Sequence, residues 1–163
     1  MKPPKYPFVP KSTKSLIPGQ FWAVPLSDGT FACGRVIALK SGRYSARAFL
    51  AGLLDWHGSK PPTEEDIVGR KTLRQGHAHI KTIVETGGFI LGYRALELDG
   101  IEPGLFLSQS GAHVNCRLQR GFETLRPATP AEQATLPTLT TWGLQVIRVE
   151  AEAKFCSPRN EDK

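Results

Sequence analysis

The chain has few cysteines, no long apolar run and no acidic residue among its first 19 positions. Its three cysteines, Cys33, Cys116 and Cys156, are odd in number and widely spaced. That gives neither a disulfide framework nor a metal-ligand pattern, and reduced thiols in a cytoplasmic protein are expected. No window approaches the roughly 18 uninterrupted apolar residues of a membrane-crossing helix. The opening stretch MKPPKYPFVPKSTKS contains no apolar h-region, so a secretory signal is not expected. A phosphate-binding loop and a strand-linked Gly-x-Gly-x-x-Gly are both missing. Gly69-Arg70-Lys71-Thr72 has only the end of the first pattern, without the glycines before it. No cofactor is expected.

What is present fits one domain. At 163 residues there is room for a single substantial core. Sixteen Gly and thirteen Pro favour many turns between short strands over a helical bundle. Much of the net charge of +6 comes from Lys2, Lys5, Lys11 and Lys14. Residues 1–18 therefore read as a flexible basic arm rich in Pro and Lys, 19–156 as the domain, and 157–163 as a polar tail. The arm is either a solvated terminus or a contact for nucleic acid or an acidic protein.

The strongest folding signal is Gln20–Leu39. Two β-prone runs flank Ser27-Asp28-Gly29-Thr30, which predicts a β-hairpin with Asp-Gly at its tip. Phe31, Cys33, Arg35 and Ile37 share one face of the second strand. Ala32, Gly34, Val36 and Ala38 share the other, with Gly34 suited to close approach or a bulge. Arg43–Trp56 fits a helix or a strand by pattern. The order of the neighbouring segments favours a strand through about Leu50 and then a loop. Thr63-Glu64-Glu65-Asp66 reads as a capped helix start cut short by Gly69, which accounts for its carboxylates without a metal. Strands are further predicted at Ile80–Val84, Phe89–Leu98, Val114–Leu118 and Trp142–Phe155, and a short helix at Thr129–Ala134 with Pro130 at its first position. The fold class is α+β, mainly β: one curled antiparallel sheet of about five to seven strands with one or two short helices.

Few constellations carry chemistry. His77-x-His79 places two imidazoles on one face of an extended segment, but no third ligand stands at metal spacing, and no metal site is assigned. His57 and His113 stand apart. Cys33 beside a histidine could form a nucleophile pair, yet its apolar strand suits a buried, inert thiol. No catalytic residue is assigned, and a hydrolase with an unrecognised site ranks behind the binding readings. Phe21, Trp22, Phe31 and Tyr44, with Arg35, Arg43 and Arg47, could offer rings and cations to nucleic acid, or the rings could fill the core.

Gly19-Gln20-Phe21-Trp22-Ala23-Val24-Pro25-Leu26, then Asp28-Gly29 and Gly34-Arg35-Val36, resembles the opening of the immunity protein 26 family. Trp142-Gly143 and the strand-rich layout extend the resemblance over most of Pro18–Glu150. Gln20, where an acid is common, and Trp22 depart from the family pattern. The resemblance implies a cytoplasmic bacterial immunity protein that binds a cognate toxin domain and occludes it without catalysis. The alternative is a small β-rich nucleic-acid-binding module. By their expected loop positions, Asp55, Trp56, His57, Arg117 and Arg120 are the candidate partner-binding residues. The basic chain points to a toxin surface that is neutral or acidic, and no membrane partner is expected.

Overall fold

The computed structural model describes residues 4–40, 47–109 and 114–156. The first hairpin forms as its alternation predicts: β1 (Gln20–Pro25) pairs antiparallel with β2 (Phe31–Leu39). At its tip Gly29 adopts φ +84°, and the Thr30 N–H donates to Asp28 Oδ1 at 2.9 Å. β3 (Ala48–Gly58), β4 (Thr72–His79) and β5 (Ile90–Tyr93) complete a five-stranded antiparallel sheet of order β4-β3-β2-β1-β5. β6 (Leu105–Leu107), β7 (Arg117–Arg120) and β8 (Glu123–Pro127) form a second antiparallel sheet. The helices are α1 (Lys81–Thr86), α2 (Pro130–Thr135) and α3 (Val146–Phe155). The class is the expected mainly β α+β. The described residues make eight strands in two sheets, not one sheet of five to seven, and three helices, not one or two. None of these helices is long and apolar enough to cross a membrane.

Several segments differ from their sequence reading; the strand expected at Val114–Leu118, for one, is β7 over Arg117–Arg120. The last, expected as a strand over Trp142–Phe155, is helical from Val146. Ile147 and Ala151, four residues apart, are its buried pair, and Glu, Ala and Lys supply helix propensity that the β-branched alternation masked. Ile80–Val84 also reads as a strand, but β4 stops at His79 and α1 follows. The turn buries Ile83, and Thr86 Oγ1 accepts the Trp22 indole N–H at 3.0 Å, so tertiary packing overrides β propensity. The strand expected over Phe89–Leu98 ends at Tyr93, and Leu96–Asp99 is a 3₁₀ turn. β3 runs on to Gly58, which puts Asp55, Trp56 and His57 in a strand, not in the expected loop. Tyr44 and Ala46, at the start of the ambiguous segment, lie outside the described residues.

Both faces of the large sheet are covered. Trp22, Val36, Phe49 and Leu53 pack under Ile83, Ile147, Ala151 and Trp142, on the side of the helices. Phe21, Cys33, Ile37, Leu50 and Leu54 pack under Ile67, Leu96, Ile101 and Phe106, on the side of the 3₁₀ turns and the second sheet. Up to Val36 the two predicted faces of β2 enter two different cores; past the bulge there, Ala38 packs with the second core and not with Ala32 and Val36. The segment expected as a loose arm is packed from Tyr6 onward: Phe8 bridges Ile90 of β5, and Leu16 is buried.

Gly34 is one of the close approaches on which this packing depends. It stands directly across from Trp22, and a β-carbon there would run into the indole ring. The ring's indole N–H is anchored to Thr86, so it has little freedom to retreat. Gly34→Ala is therefore expected to cost about 1–3 kcal/mol, read as a lower urea midpoint with an unchanged slope.

Candidate functional site

Charge is buried on the side of the 3₁₀ turns. Arg35, at the centre of β2, projects there with a fully buried side chain, and the equally buried Asp99 carboxylate lies 3.7 Å from its Nη1. Asp99 is gripped on several sides. Arg94 donates from Nε to Oδ2 at 2.9 Å and from Nη2 to Oδ1 at 3.0 Å, and the Gly69 N–H donates to Oδ1 at 2.8 Å. Lys71 Nζ donates to the Asp99 carbonyl, and Arg35 Nη2 donates to the Arg94 carbonyl at 2.5 Å. Burial works to raise the Asp99 pKa. The Arg94 and Gly69 hydrogen bonds and the two guanidinium charges outweigh it and hold the carboxyl below its ordinary value. Burial lowers the Arg35 pKa, opposed by Cys33 and Asp99. Arg35 Nε makes no hydrogen bond among the described residues.

A second polar cluster sits at the hairpin tip. Thr30 Oγ1 lies 2.5 Å from both Asp28 Oδ1 and His57 Nε2, so the hydroxyl links imidazole and carboxylate. The His57 ring stacks on Phe155 with centroids 5.0 Å apart. Ser27 donates its N–H and hydroxyl to Glu152 at 2.6 and 2.7 Å, which ties the turn to α3. Hydrogen bonds from Thr30 lower the Asp28 pKa, and those from Ser27 lower that of Glu152. Cys156 is pushed up to about 11 by burial first and by the neighbouring acids second. The adjoining cleft of about 300 Å³ is lined by Trp56, His57, Gly58, Ser59, Lys60 and Asp66, and Thr30 is not part of that lining.

The partner-binding candidates fall in two places. Asp55 and His57 are exposed near the end of β3, while Trp56 between them is only 8% exposed and packs in the core. Arg117 and Arg120 lie on β7 of the other sheet, and Arg120 reaches Glu102 at 3.5 Å and the Pro103 carbonyl at 3.1 Å. The two groups belong to different sheets. The nucleic-acid platform is not assembled as a surface: Phe21 and Trp22 are buried, and Arg35 is committed to Asp99. Tyr44 and Arg43 lie outside the described residues, as does His113.

The remaining chemical candidates are occupied by the fold. Burial pushes the Cys33 thiol up to about 12, so it is protonated at neutral pH and a poor nucleophile. The His77 ring packs edge-on against Phe122, and His79 Nδ1 accepts the Lys81 N–H at 3.0 Å. Burial lowers the pKa of both imidazoles. Among the described residues no group of three His, Cys, Asp or Glu is placed to hold a metal. Thr63 and Asp66 exchange hydrogen bonds across one 3₁₀ turn at Glu65–Ile67, so part of the acidic run is used in capping. Asp99 had no such local signal. It stands before Gly100 in what reads as a loop, and its partner Arg35 is distant in sequence.

These features define a β-rich α+β domain whose buried ionic groups hold its own loops in place. The chain belongs to the immunity protein 26 family, whose sequence model matches residues 17–115. The match takes in both ends of the Arg35–Asp99 pair and stops before β7, α2 and α3, short of the Trp142-Gly143 in the resemblance. No curated protein and no solved structure is found to match the chain.

The buried pair sets an acid limit on stability. Because its folded pKa is depressed, Asp99 stabilises the fold fully above the unfolded carboxyl value of 3.8, and that contribution is lost as pH falls through the lower folded value. Asp99→Asn leaves Arg35 buried without its counter-charge and is expected to lose about 3–5 kcal/mol near neutral pH. Urea titrations at a series of pH values should also show a flatter acid limb for this variant than for the parent.

Proposed function

We propose that this chain neutralises a bacterial toxin by binding it and covering its working surface, with no reaction of its own. The observation that carries this reading is its membership of the immunity protein 26 family across residues 17–115. The chemistry of the described residues is consistent with it: Cys33 is held protonated, and the Asp99 carboxylate is consumed by internal hydrogen bonds. Occlusion requires only a surface, and an inhibitor of this kind acts in the compartment where the toxin works, for which we propose the cytoplasm.

The net charge of +6 favours encounter with a toxin that is neutral or acidic overall, since long-range attraction raises the association rate. Exposed Arg117 on β7, with half-buried Arg120 beside it, is a proposed contact patch, and Asp55 and His57 are proposed contacts at the end of β3. Trp56 supports the latter two from inside the core.

Cells expressing the toxin domain encoded beside this gene should survive when this chain is co-expressed, and the two purified proteins should form a complex whose association slows with added salt. Arg117→Glu with Arg120→Glu should slow association on the order of tenfold at low salt, measured by stopped flow on the folded variant. Failure to rescue growth, with no complex formed, would remove the reading.

A further inference from the structure

We propose that an acidic segment of the toxin docks at the end of the large sheet where Lys40, Arg47, His77, His79 and Lys81 gather beside Phe122. This rests on the toxin-binding reading above and assigns it a surface.

Three strand ends come level there. Leu39, the last residue of β2, pairs with Phe49, and the preceding Ala48 pairs with His79 of β4. Lys40 therefore leaves β2 beside the start of β3, where Arg47 enters. Side chains two apart on a strand share a face, so His77 and His79 project together. That face is the side of the second sheet, because Leu50, the partner of His77, packs in the core on that side. Phe122, in the turn between β7 and β8, meets it. The His77 ring stands edge-on to Phe122 with centroids 5.3 Å apart, and Lys40 Nζ lies 5.8 Å from the centroid of the same ring. Lys81 opens α1, and its N–H donates to His79 Nδ1 at 3.0 Å.

The charges in this cluster have one sign. Lys40 acts on His77, and Lys81 and Arg47 act on His79. Lys40, Arg47 and Lys81 are exposed, and among the described residues none of them forms an ion pair. Glu85 and Glu123 follow Lys81 and Phe122 in sequence, yet neither pairs with these cations. Arg74 and Arg126, by contrast, are matched to Glu150 and Glu132. A carboxylate seated among the unmatched groups relieves their mutual repulsion and gains their attraction. His79 supplies a donor besides: with Nδ1 accepting the Lys81 N–H, the neutral ring carries its proton on Nε2.

Other occupants fit less well. A second copy would set this positive cluster against its own like, and like charges facing each other oppose association. Single-stranded nucleic acid binds through rings free to stack on its bases. Phe122 is half-buried, and its ring is already engaged by Lys40 and His77. An acidic protein segment needs only the charges and donors.

The surface also makes binding depend on pH through His77. The groups around that imidazole are Lys40 from β2, the uncharged Phe122 from the β7–β8 turn and the uncharged Thr141 bridged to it, with His79 two residues along its own strand. Burial first and Lys40 second hold the free imidazole below its ordinary value. A carboxylate beside it favours the charged form, so its pKa is higher in the complex than in the free chain. Binding then takes up a proton. Affinity rises as pH falls, and the gain is lost as pH rises through the value in the complex.

The test uses the full chain and the toxin domain encoded beside its gene, with affinity measured by calorimetry. Lys40→Glu with Lys81→Glu is expected to weaken binding about tenfold or more, and Arg47→Glu serves if that double variant fails to fold. Parental affinity is expected to rise severalfold between about pH 8 and about pH 6, with proton uptake read from buffers of different ionisation heat, and His77→Gln is expected to remove most of that rise. Parental affinity in the folded charge-reversal variant overturns the surface and leaves toxin binding standing. Absence of toxin binding by the parent overturns both. Binding of a single-stranded RNA that the charge reversal abolishes, while toxin binding is unaffected, gives the surface to nucleic acid and overturns the acidic segment as its occupant.

Discussion

The Asp99 carboxylate fixes several separate pieces of chain at once. Through Arg94 it holds the end of β5, through the Gly69 N–H it holds the segment that follows the Glu65–Ile67 turn, and through Arg35 it is tied to the centre of β2. Lys71 joins from the start of β4 by way of the Asp99 carbonyl. Burying such charges costs several kcal/mol per ion and is offset only by good geometry and further hydrogen bonds. The bidentate Arg94 and the Gly69 N–H supply that geometry. Arg35 is less fully satisfied, with Nε unpaired among the described residues, so its place depends on the carboxylate more than the carboxylate depends on it. Such a node does more for specificity than for gross stability. An apolar cluster tolerates loops at several angles, whereas this one accepts the 3₁₀ turns in one position.

That positioning determines which surfaces are left for work. The helices cover one face of the large sheet, and the 3₁₀ turns with the second sheet cover the other. A protein built this way cannot use a face of its large sheet as a recognition platform, and the aromatic rings of the hairpin are accordingly inside. Recognition is left to edges, turns, the rims between layers and the second sheet, where Arg117 of β7 is exposed. At one edge His77 is already bridged by Thr141, and the Trp142 N–H donates to the His77 carbonyl at 2.7 Å. At the other edge Phe8 bridges Ile90 of β5.

How much of this the sequence disclosed depended on the range of the interaction. The hairpin was legible because its signals are local: period-two alternation around Asp28-Gly29, and a glycine directly across from Trp22. α2 was legible for the same reason, since Thr129 and Glu132 form a capping box and Pro130 begins the helix. α1 and α3 were not. Their β-branched residues alternate as a strand would, and what selects the helix is the burial of Ile83, Ile147 and Ala151 against strands far away in sequence. Asp55–His57 read as loop because the bulges that carry β3 on to Gly58 arise from pairing with β2. The Arg35–Asp99 pair left the least trace. An arginine in a run of small and apolar residues is a hint of a buried charge, but nothing near it names the partner.

The same distinction separates two uses of charge in this chain. Composition alone gives a single number, +6, and from it a partner that is neutral or acidic. The fold divides that number by place. Arg35 and Arg94 are both paired within the domain with one carboxylate, and Lys11 and Lys14 lie on a segment that packs from Tyr6 onward. Glu64 and Glu65 line one cleft together and are exposed. Coulomb interactions between exposed groups fade within a Debye length, so a docked segment responds to the groups it touches and not to the formal total. A basic chain can therefore carry an acidic cleft, and the sign of the net charge does not fix the sign of each part of its surface.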